Sequence, residues 1–218
     1  MSATYIINLD GAKYTANSGY TLQGRDDKND NIGDFSGVRT LSKEDIRGVL
    51  GYADFVFYTV YGGKSKEQAV MQESNAGPLK KTAALLDFKN RLYELFNFKN
   101  DELIVIDGIA YNANEAGNYL WGLALREAGI VVNPKNIAEL ATKGRHDEPH
   151  EQKAIQAGMN KATSLVGKTD ESSKDFRKLV YERYTEEWAA FKSDGGGAEN
   201  YVPSDNLGIF KEYRETHK

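Results

Sequence analysis

The chain has 218 residues, of which 40% are hydrophobic and 28% charged, and its formal net charge is −4. It contains no cysteine, which excludes disulfides and thiolate chemistry and suits a reducing or an oxidising compartment equally. The acidic balance argues mildly against nucleic acid as a partner, because proteins that grip phosphate backbones carry a basic surplus. No apolar run is long enough to span a membrane, and the start of the chain lacks the pattern of a signal peptide. We therefore expect other machinery to carry the protein if it leaves its cell.

The N-terminal half contains two runs with strand composition. Residues 4–9 (TYIINL) form the first, which Asp10 and Gly11 close. Residues 55–61 (FVFYTVY) form the second, which two glycines stop. The stretch between residues 10 and 40 is rich in Gly, Asn, Asp and Ser and is long for a structureless loop, so it either hides short strands or is a functional or mobile segment.

Three helices are predicted in the same half. Ser42 and Asp45 form a capping signal for a short helix that ends near residue 50, before Gly51. A second helix is predicted for residues 64–73. A third, over residues 80–96, carries apolar residues at steps of three and four.

A hairpin followed by a central helix organises the chain. Asp107 and Gly108 separate two apolar runs, residues 103–106 and 109–111, which is a strong hairpin signal. The stretch that follows, up to Gly129, is apolar on nearly all sides and so predicts a buried helix. Asn112 or Asn114 is placed to cap its start, and Gly129 to end it in the left-handed conformation.

The C-terminal half is predicted to be mainly helical. Helices are expected over residues 134–142, from Pro149 to about residue 166, and over residues 172–191, with a charged loop at residues 143–148. Asp147 is placed to cap the helix that begins near Pro149, and Gly158 in its middle indicates close helix packing. After a triple glycine, the last twenty residues are expected to form a tail with one short helical turn around Phe210.

Glu115 and Asn118 are polar groups at the start of a buried helix, and each needs a partner. They are either structural groups that bond to loop backbone or members of a functional site. Asp107 and Glu115 are also a candidate pair for glycoside hydrolysis, where the separation of two carboxylates decides the outcome. For Asp107, the role of a turn residue is the more natural one.

Two of the three histidines lie in one short stretch. His146 and His150 have the spacing of two metal ligands on one helix face, but Pro149 starts the helix between them and no third ligand is evident, so we assign no metal site. General acid–base chemistry by either histidine with Asp147 is the alternative, because histidine titrates near neutrality. The remaining interpretation is an acidic, well-capped helix start. The sequence identifies no cofactor.

Two blocks resemble the polymorphic toxin type 44 domains, which close large secreted bacterial proteins. They are residues 114–122 (NEAGNYLWG) and residues 147–158 (DEPHEQKAIQAG), and the resemblance covers about residues 103–165. It implies a secreted effector that acts in a competing cell and is neutralised in the producer by an immunity protein. The positions that match the family are Asn118, Trp121, Gly122, Asp147 and Glu151.

The chain departs from that family at two positions. The family often has Asp four residues before the matched Asn and His two residues after it, where this chain has Asn114 and Leu120. If those groups are catalytic in the family, this chain has lost that chemistry or uses other groups, such as His146.

We therefore expect a single α+β domain over residues 1–197, with short antiparallel strands in the N-terminal half, and a tail over residues 198–218. The expected function is an antibacterial effector with hydrolase activity, preferably toward the cell envelope and peptidoglycan. A nuclease toxin and a non-catalytic binding or immunity module remain the alternatives. Expected partners are an immunity protein and the secretion machinery of the producer. The candidate catalytic residues are His146, Asp147, Glu115 and Asn118, and the candidate substrate-binding residues are Asn114, Trp121 and His150.

Overall fold

The computed structural model describes residues 5–9, 11–21, 35–63, 66, 69–70, 85–99, 101–130, 149–165, 171–197, 200–204 and 207–216. The predicted helix over residues 134–142 and the loop at 143–148 lie outside the described residues. Of the predicted helix over residues 64–73, the three residues described, Lys66, Ala69 and Val70, are helical.

Among the described residues, five strands form one mixed sheet in the order β1–β2–β5–β4–β3. The strands are β1 (Tyr5–Leu9), β2 (Ala12–Ala16), β3 (Gly37–Thr40), β4 (Glu102–Ile106) and β5 (Ile109–Tyr111). The pairs β1–β2 and β4–β5 are antiparallel, whereas β2–β5 and β3–β4 are parallel. The glycine-rich stretch between residues 10 and 40 thus contains two short strands. The α+β prediction is confirmed, and the sheet is mixed because strands distant in sequence pair with β4 and β5.

The predicted hairpin between β4 and β5 is confirmed. Asp107 and Gly108 both have positive φ, 52° and 79°, as a two-residue turn of this kind requires. Ile106 pairs with Ile109 across the turn. The hairpin delivers the chain directly to the central helix.

Helix α1 (Lys43–Asp54) begins at the predicted cap and ends later than predicted. Ser42 and Asp45 form a reciprocal capping box, which satisfies two N–H groups at the helix start. The expected end before Gly51 is wrong. A Cβ at Gly51 would fall within 3.0 Å of the carbonyl oxygen of Arg177, so this glycine allows close helix packing instead of stopping the helix.

The strand predicted for residues 55–61 is wrong: Phe55–Val60 is a π-helical segment that continues α1. Its aromatic and β-branched composition favours a strand, but tertiary packing overrides that preference. Phe55 is fully buried and packs against the rings of Tyr184 and Tyr201. The Thr59 hydroxyl lies 3.1 Å from that of Tyr181, which fixes the segment on a later helix.

Helix α2 (Phe88–Phe96) begins eight residues later than the predicted start at residue 80. Leu85 and Leu86 form a turn, and Asp87 caps the helix by accepting a bond from the backbone N–H of Asn90. Burial raises the pKa of Asp87, against the smaller opposing effects of its hydrogen bonds and of Arg91. The predicted apolar stripe remains, because Phe88, Leu92 and Leu95 are buried.

Four further helices complete the described fold. They are α3 (Ala113–Glu127), α4 (Pro149–Leu165), α5 (Glu171–Ser193) and α6 (Leu207–Thr216). Helix α6 is longer than the single turn expected around Phe210. Its Tyr213 stacks on Phe176 of α5 with ring centroids 4.0 Å apart, so α6 is packed against the core.

Helix α3 is the central helix that the sequence predicts, since every residue from Tyr119 to Leu125 is buried. It packs closely on α4 through glycines. A Cβ at Gly122 or Gly158 would fall within 3.0 Å of backbone atoms of the other helix, which confirms the close packing predicted for Gly158. No helix among the described residues is long and apolar enough to cross a membrane.

Candidate functional site at the starts of two helices

The start of α3 is fixed by a second capping box. The Asn112 side chain accepts a hydrogen bond from the backbone N–H of Glu115 at 2.8 Å, and the Asn112 N–H donates to Glu115 Oε2 at 3.1 Å. Two N–H groups that have no partner within the helix are satisfied in this way. Of the two candidate N-caps, Asn112 and Asn114, the structure has Asn112.

The Glu115 carboxylate is fully buried and accepts three further hydrogen bonds, all from side chains of a distant segment. Oε1 accepts from Asn17 Nδ2 at 3.0 Å and from Ser18 Oγ at 2.9 Å. Oε2 accepts from Thr21 Oγ1 at 2.7 Å, in addition to its bond from Asn112. A carboxylate offers about four acceptor positions, so this set occupies them all. Glu115 anchors residues 17–21 to the start of α3.

The same segment is tied to the start of α4. Asn17 Nδ2 also donates to the backbone oxygen of His150 at 3.1 Å, and Lys153 donates its ammonium proton to the backbone oxygen of Asn17. The Tyr20 and His150 rings stack with centroids 3.9 Å apart and planes 19° apart. Residues 17–21 thus bridge α3 and α4.

One face of α3 stays partly open beside this bridge. Between Asn112 and Leu125, Asn114 and Asn118 are the two residues that are not buried. At about 100° per residue, Asn114, Asn118 and Trp121 fall within an arc of about 60°. Asn114 Nδ2 donates to Glu151 Oε1 on α4, so the start of α4 lies along this face.

Helices α2 and α4 lie on opposite sides of this polar face of α3. A Cβ at Gly117 would lie 2.7 Å from the backbone nitrogen of Lys89, and Gly117 points about 100° away from Asn118 around the helix axis. Gly122 and Tyr119, which meet α4, lie on the other side. The polar face of α3 therefore runs between the first turns of α2 and α4.

Asp107 has hydrogen-bond and ion-pair partners of its own. Its carboxylate accepts from the Tyr119 hydroxyl at 3.0 Å and pairs with Lys161 at 3.1 Å. Burial, together with the charge and hydrogen bond of Asp107, raises the pKa of Tyr119, which keeps that hydroxyl a donor. Asp107 is the turn residue that the sequence favoured.

The structure brings four of the predicted site residues together: Asn114, Glu115 and Asn118 on α3, with His150 on α4. Trp121 shares their helix face, but its side chain is only 5% exposed. His146 and Asp147 lie outside the described residues. Because the polar and titratable residues concentrate in residues 114–118 and 143–148, we predict that His146 and Asp147 face Asn118 across a cleft; this stays a prediction, since the loop at 143–148 lies outside the described residues.

Sequence reasoning missed the segment that completes this arrangement. Asn17, Ser18, Tyr20 and Thr21 carry no recognisable motif, and the only signal was the unusual length of the polar stretch between residues 10 and 40. Among the described residues, no group of three or more His, Asp or Glu side chains is placed to hold a metal ion.

Comparison with protein-family models, with curated proteins and with solved structures finds no match to this chain. The resemblance to polymorphic toxin type 44 domains therefore stays a prediction. The function has to be argued from the arrangement of the side chains.

Proposed function

We propose that this chain is an antibacterial effector domain with hydrolase activity, and that its active site lies where α3, α4 and residues 17–21 meet. In this proposal the substrate binds along the open face of Asn114 and Asn118. His146 or Asp147, shortly before α4, transfers the proton. Glu115 holds the surrounding segments in place.

The observation that carries the proposal is the buried Glu115 carboxylate with its three side-chain donors from residues 17–21. Removing a carboxylate from water costs several kcal/mol even after relaxation, and an apolar contact would stabilise the fold as well or better. Such groups are retained where they fix a geometry that packing alone leaves loose. Here that geometry is the position of Tyr20 and His150 beside the polar face of α3.

A cell-envelope substrate fits the chemistry of the chain better than nucleic acid. The net charge of −4 argues against binding a polyanion, and the absence of cysteine is compatible with an oxidising compartment. Within the described site, the cation nearest the bridge, Lys153, donates to a backbone oxygen, and Glu151 adds negative charge. The proposal includes export by the secretion machinery of a producing bacterium and neutralisation there by an immunity protein.

Directed expression tests the proposal. The parent chain is produced in a bacterium either in the cytoplasm or with a periplasmic leader, and growth and cell lysis are followed. We expect killing from the periplasm, and we expect the double variant His146→Ala with Asp147→Asn to lose it, because losing a proton-transfer group costs about 10²–10⁴-fold in rate. Asparagine caps a helix about as well as aspartate, so a frayed helix does not explain that loss.

The control for that experiment is Glu182→Gln, on the exposed surface of α5, which should kill as the parent does. A double variant that kills as well as the parent moves the chemistry away from the loop before α4. Killing from the cytoplasm with degraded nucleic acid favours the nuclease. Absence of killing from both compartments contradicts the effector proposal.

One observation favours a non-catalytic binding module as the second candidate. All acceptor positions of Glu115 are occupied, so this carboxylate has no lone pair left for a substrate or a water molecule. A purely structural tether of this kind is what a binding or immunity-type module needs. Failure of the parent to kill, with the fold intact, supports this second candidate.

A further inference from the structure

The stacked rings of Tyr20 and His150 are the aromatic feature of the proposed site. Their planes are 19° from parallel, and both side chains are half-buried. The stack is formed by residues that are 130 positions apart, so neither ring is placed by its own local sequence.

The structure fixes the backbone on both sides of the stack. Ser18 and Thr21 flank Tyr20 and donate to Glu115. The His150 backbone oxygen accepts from Asn17, whose own backbone oxygen accepts from Lys153. The rings are therefore pre-organised, and a ligand that packs on them pays little ordering entropy.

Hydrogen-bonding groups that suit a neutral ligand are linked to the turn of α4 that carries His150. Glu151 follows His150 in sequence and accepts from Asn114, and Asn118 lies one turn further along α3. Carboxamides both donate and accept, which matches hydroxyl and acetamido groups. Glu151 opposes the approach of a phosphate backbone.

We propose that the outer faces of the Tyr20–His150 stack, those turned away from the partner ring, form an aromatic platform that binds a sugar ring of an N-acetylated glycan, with Asn114 and Asn118 recognising its polar groups. This inference rests on the proposed function and names the substrate class of the same site. The C–H face of a pyranose packs on an aromatic face, while the ring hydroxyls remain free for hydrogen bonds. The platform requires only binding, so it is measured separately from killing.

A soluble oligomer of N-acetylglucosamine is the probe. Binding to the purified parent chain is measured by calorimetry, and the ring signals of Tyr20 and His150 are followed by NMR. We expect these ring signals to shift on addition of the oligomer. We also expect Tyr20→Ala to weaken binding about tenfold and Tyr20→Phe to retain it, because the stacking face and not the hydroxyl is required.

The control is Tyr58→Ala, an exposed tyrosine on the π-helical segment, which should bind as the parent does. If Tyr20→Ala does not fold, the ring signals of the parent still decide the matter. The platform is overturned if the oligomer fails to bind, if it binds without shifting those signals, or if Tyr20→Ala binds as tightly as the parent. Stacking of a single-stranded RNA oligomer on Tyr20 in place of the sugar overturns it as well.

The two proposals fail separately. A parent chain that kills from the periplasm but does not bind the oligomer loses the platform and keeps the hydrolase assignment. A parent chain that binds the oligomer through Tyr20 but kills from neither compartment keeps the platform and loses the effector assignment.

Discussion

Replacement of Glu115 by Gln tests whether this residue joins residues 17–21 to α3. The substitution keeps the shape of the side chain and replaces one acceptor oxygen with an NH₂ donor. If the NH₂ takes the Oε2 position, it meets the Asn112 N–H, which cannot accept. If it takes the Oε1 position, it meets Asn17 Nδ2, which can turn over only by giving up its bond to His150.

The expected loss of stability follows from those partners. Hydrogen bonds to a charged group contribute about 1.5–3 kcal/mol each, and a buried donor left without an acceptor costs about 1–3 kcal/mol. The hydroxyls of Ser18 and Thr21 can rotate and recover part of this. Loss of the charge weakens the remaining hydrogen bonds and one donor is left without an acceptor, so we expect Glu115→Gln to lower the free energy of unfolding by about 3 kcal/mol.

Urea unfolding, followed by the fluorescence of the two tryptophans, measures this change. Glu182→Gln is the control, because the Glu182 side chain is 53% exposed and its pair with Lys178 spans 3.6 Å. Exposed pairs contribute about 0–1 kcal/mol. A loss below about 1 kcal/mol for Glu115→Gln, with an unchanged m value, would refute the inference that this carboxylate carries four satisfied hydrogen bonds.

Three further predictions concern the core and one carboxyl group. Trp121→Ala should lower the free energy of unfolding by about 3–5 kcal/mol, because the side chain is 5% exposed; a loss under about 1 kcal/mol would place Trp121 on the surface. Gly158→Ala should lower the free energy of unfolding by about 2 kcal/mol in the same assay, because overpacking against backbone outweighs the helix propensity gained. Gly37→Ala is the control and should be near neutral, because the space around Gly37 is open. The pKa of Asp87 is raised above 3.8 in the folded state, mainly by burial, so its contribution to stability is fully present below that pH and is lost as the pH rises through the folded value. Asp87→Asn should therefore gain stability relative to the parent as the pH rises from below 3.8 through the folded pKa of Asp87, and equal pH profiles would contradict this.

Local signals in the sequence were sufficient for the elements that depend on local chemistry. The hairpin at Asp107 and Gly108 needs positive φ at two adjacent residues, and few residue pairs other than this one adopt it cheaply. The caps at Ser42 and Asn112 need a short polar side chain three residues before an acidic one. In each case the residues that define the element are close in sequence, so the pattern predicts it.

Elements that depend on distant partners were predicted poorly. Phe55–Val60 has strand composition but is a π-helical segment, because Tyr184 and Tyr201 enclose Phe55. The sequence indicated a helix end before Gly51, but α1 continues through this residue and packs against Arg177. Composition cannot show which helix will lie across a glycine.

The candidate site was predicted in part for the same reason. The polar start of α3 is visible in the sequence because Asn112, Asn114, Glu115 and Asn118 stand out in an apolar stretch. Residues 17–21 contain ordinary loop residues, and their relation to Glu115 depends on a separation of 94 to 98 positions. Only the fold shows that these residues meet.

Glu115 has two structural roles, one local to the start of α3 and one that connects α3 to a distant segment. Its hydrogen bond with the Asn112 N–H is local and belongs to the cap, whereas its bonds to Asn17, Ser18 and Thr21 are long-range. A cap alone needs no buried charge, because caps contribute about 1 kcal/mol at exposed helix ends as well. The long-range bonds explain why a charged side chain is buried here, since they position three side-chain donors at once. The place to look for the activity of this chain is therefore the surface that those bonds position, where Tyr20 meets His150 and α4 meets the open face of α3.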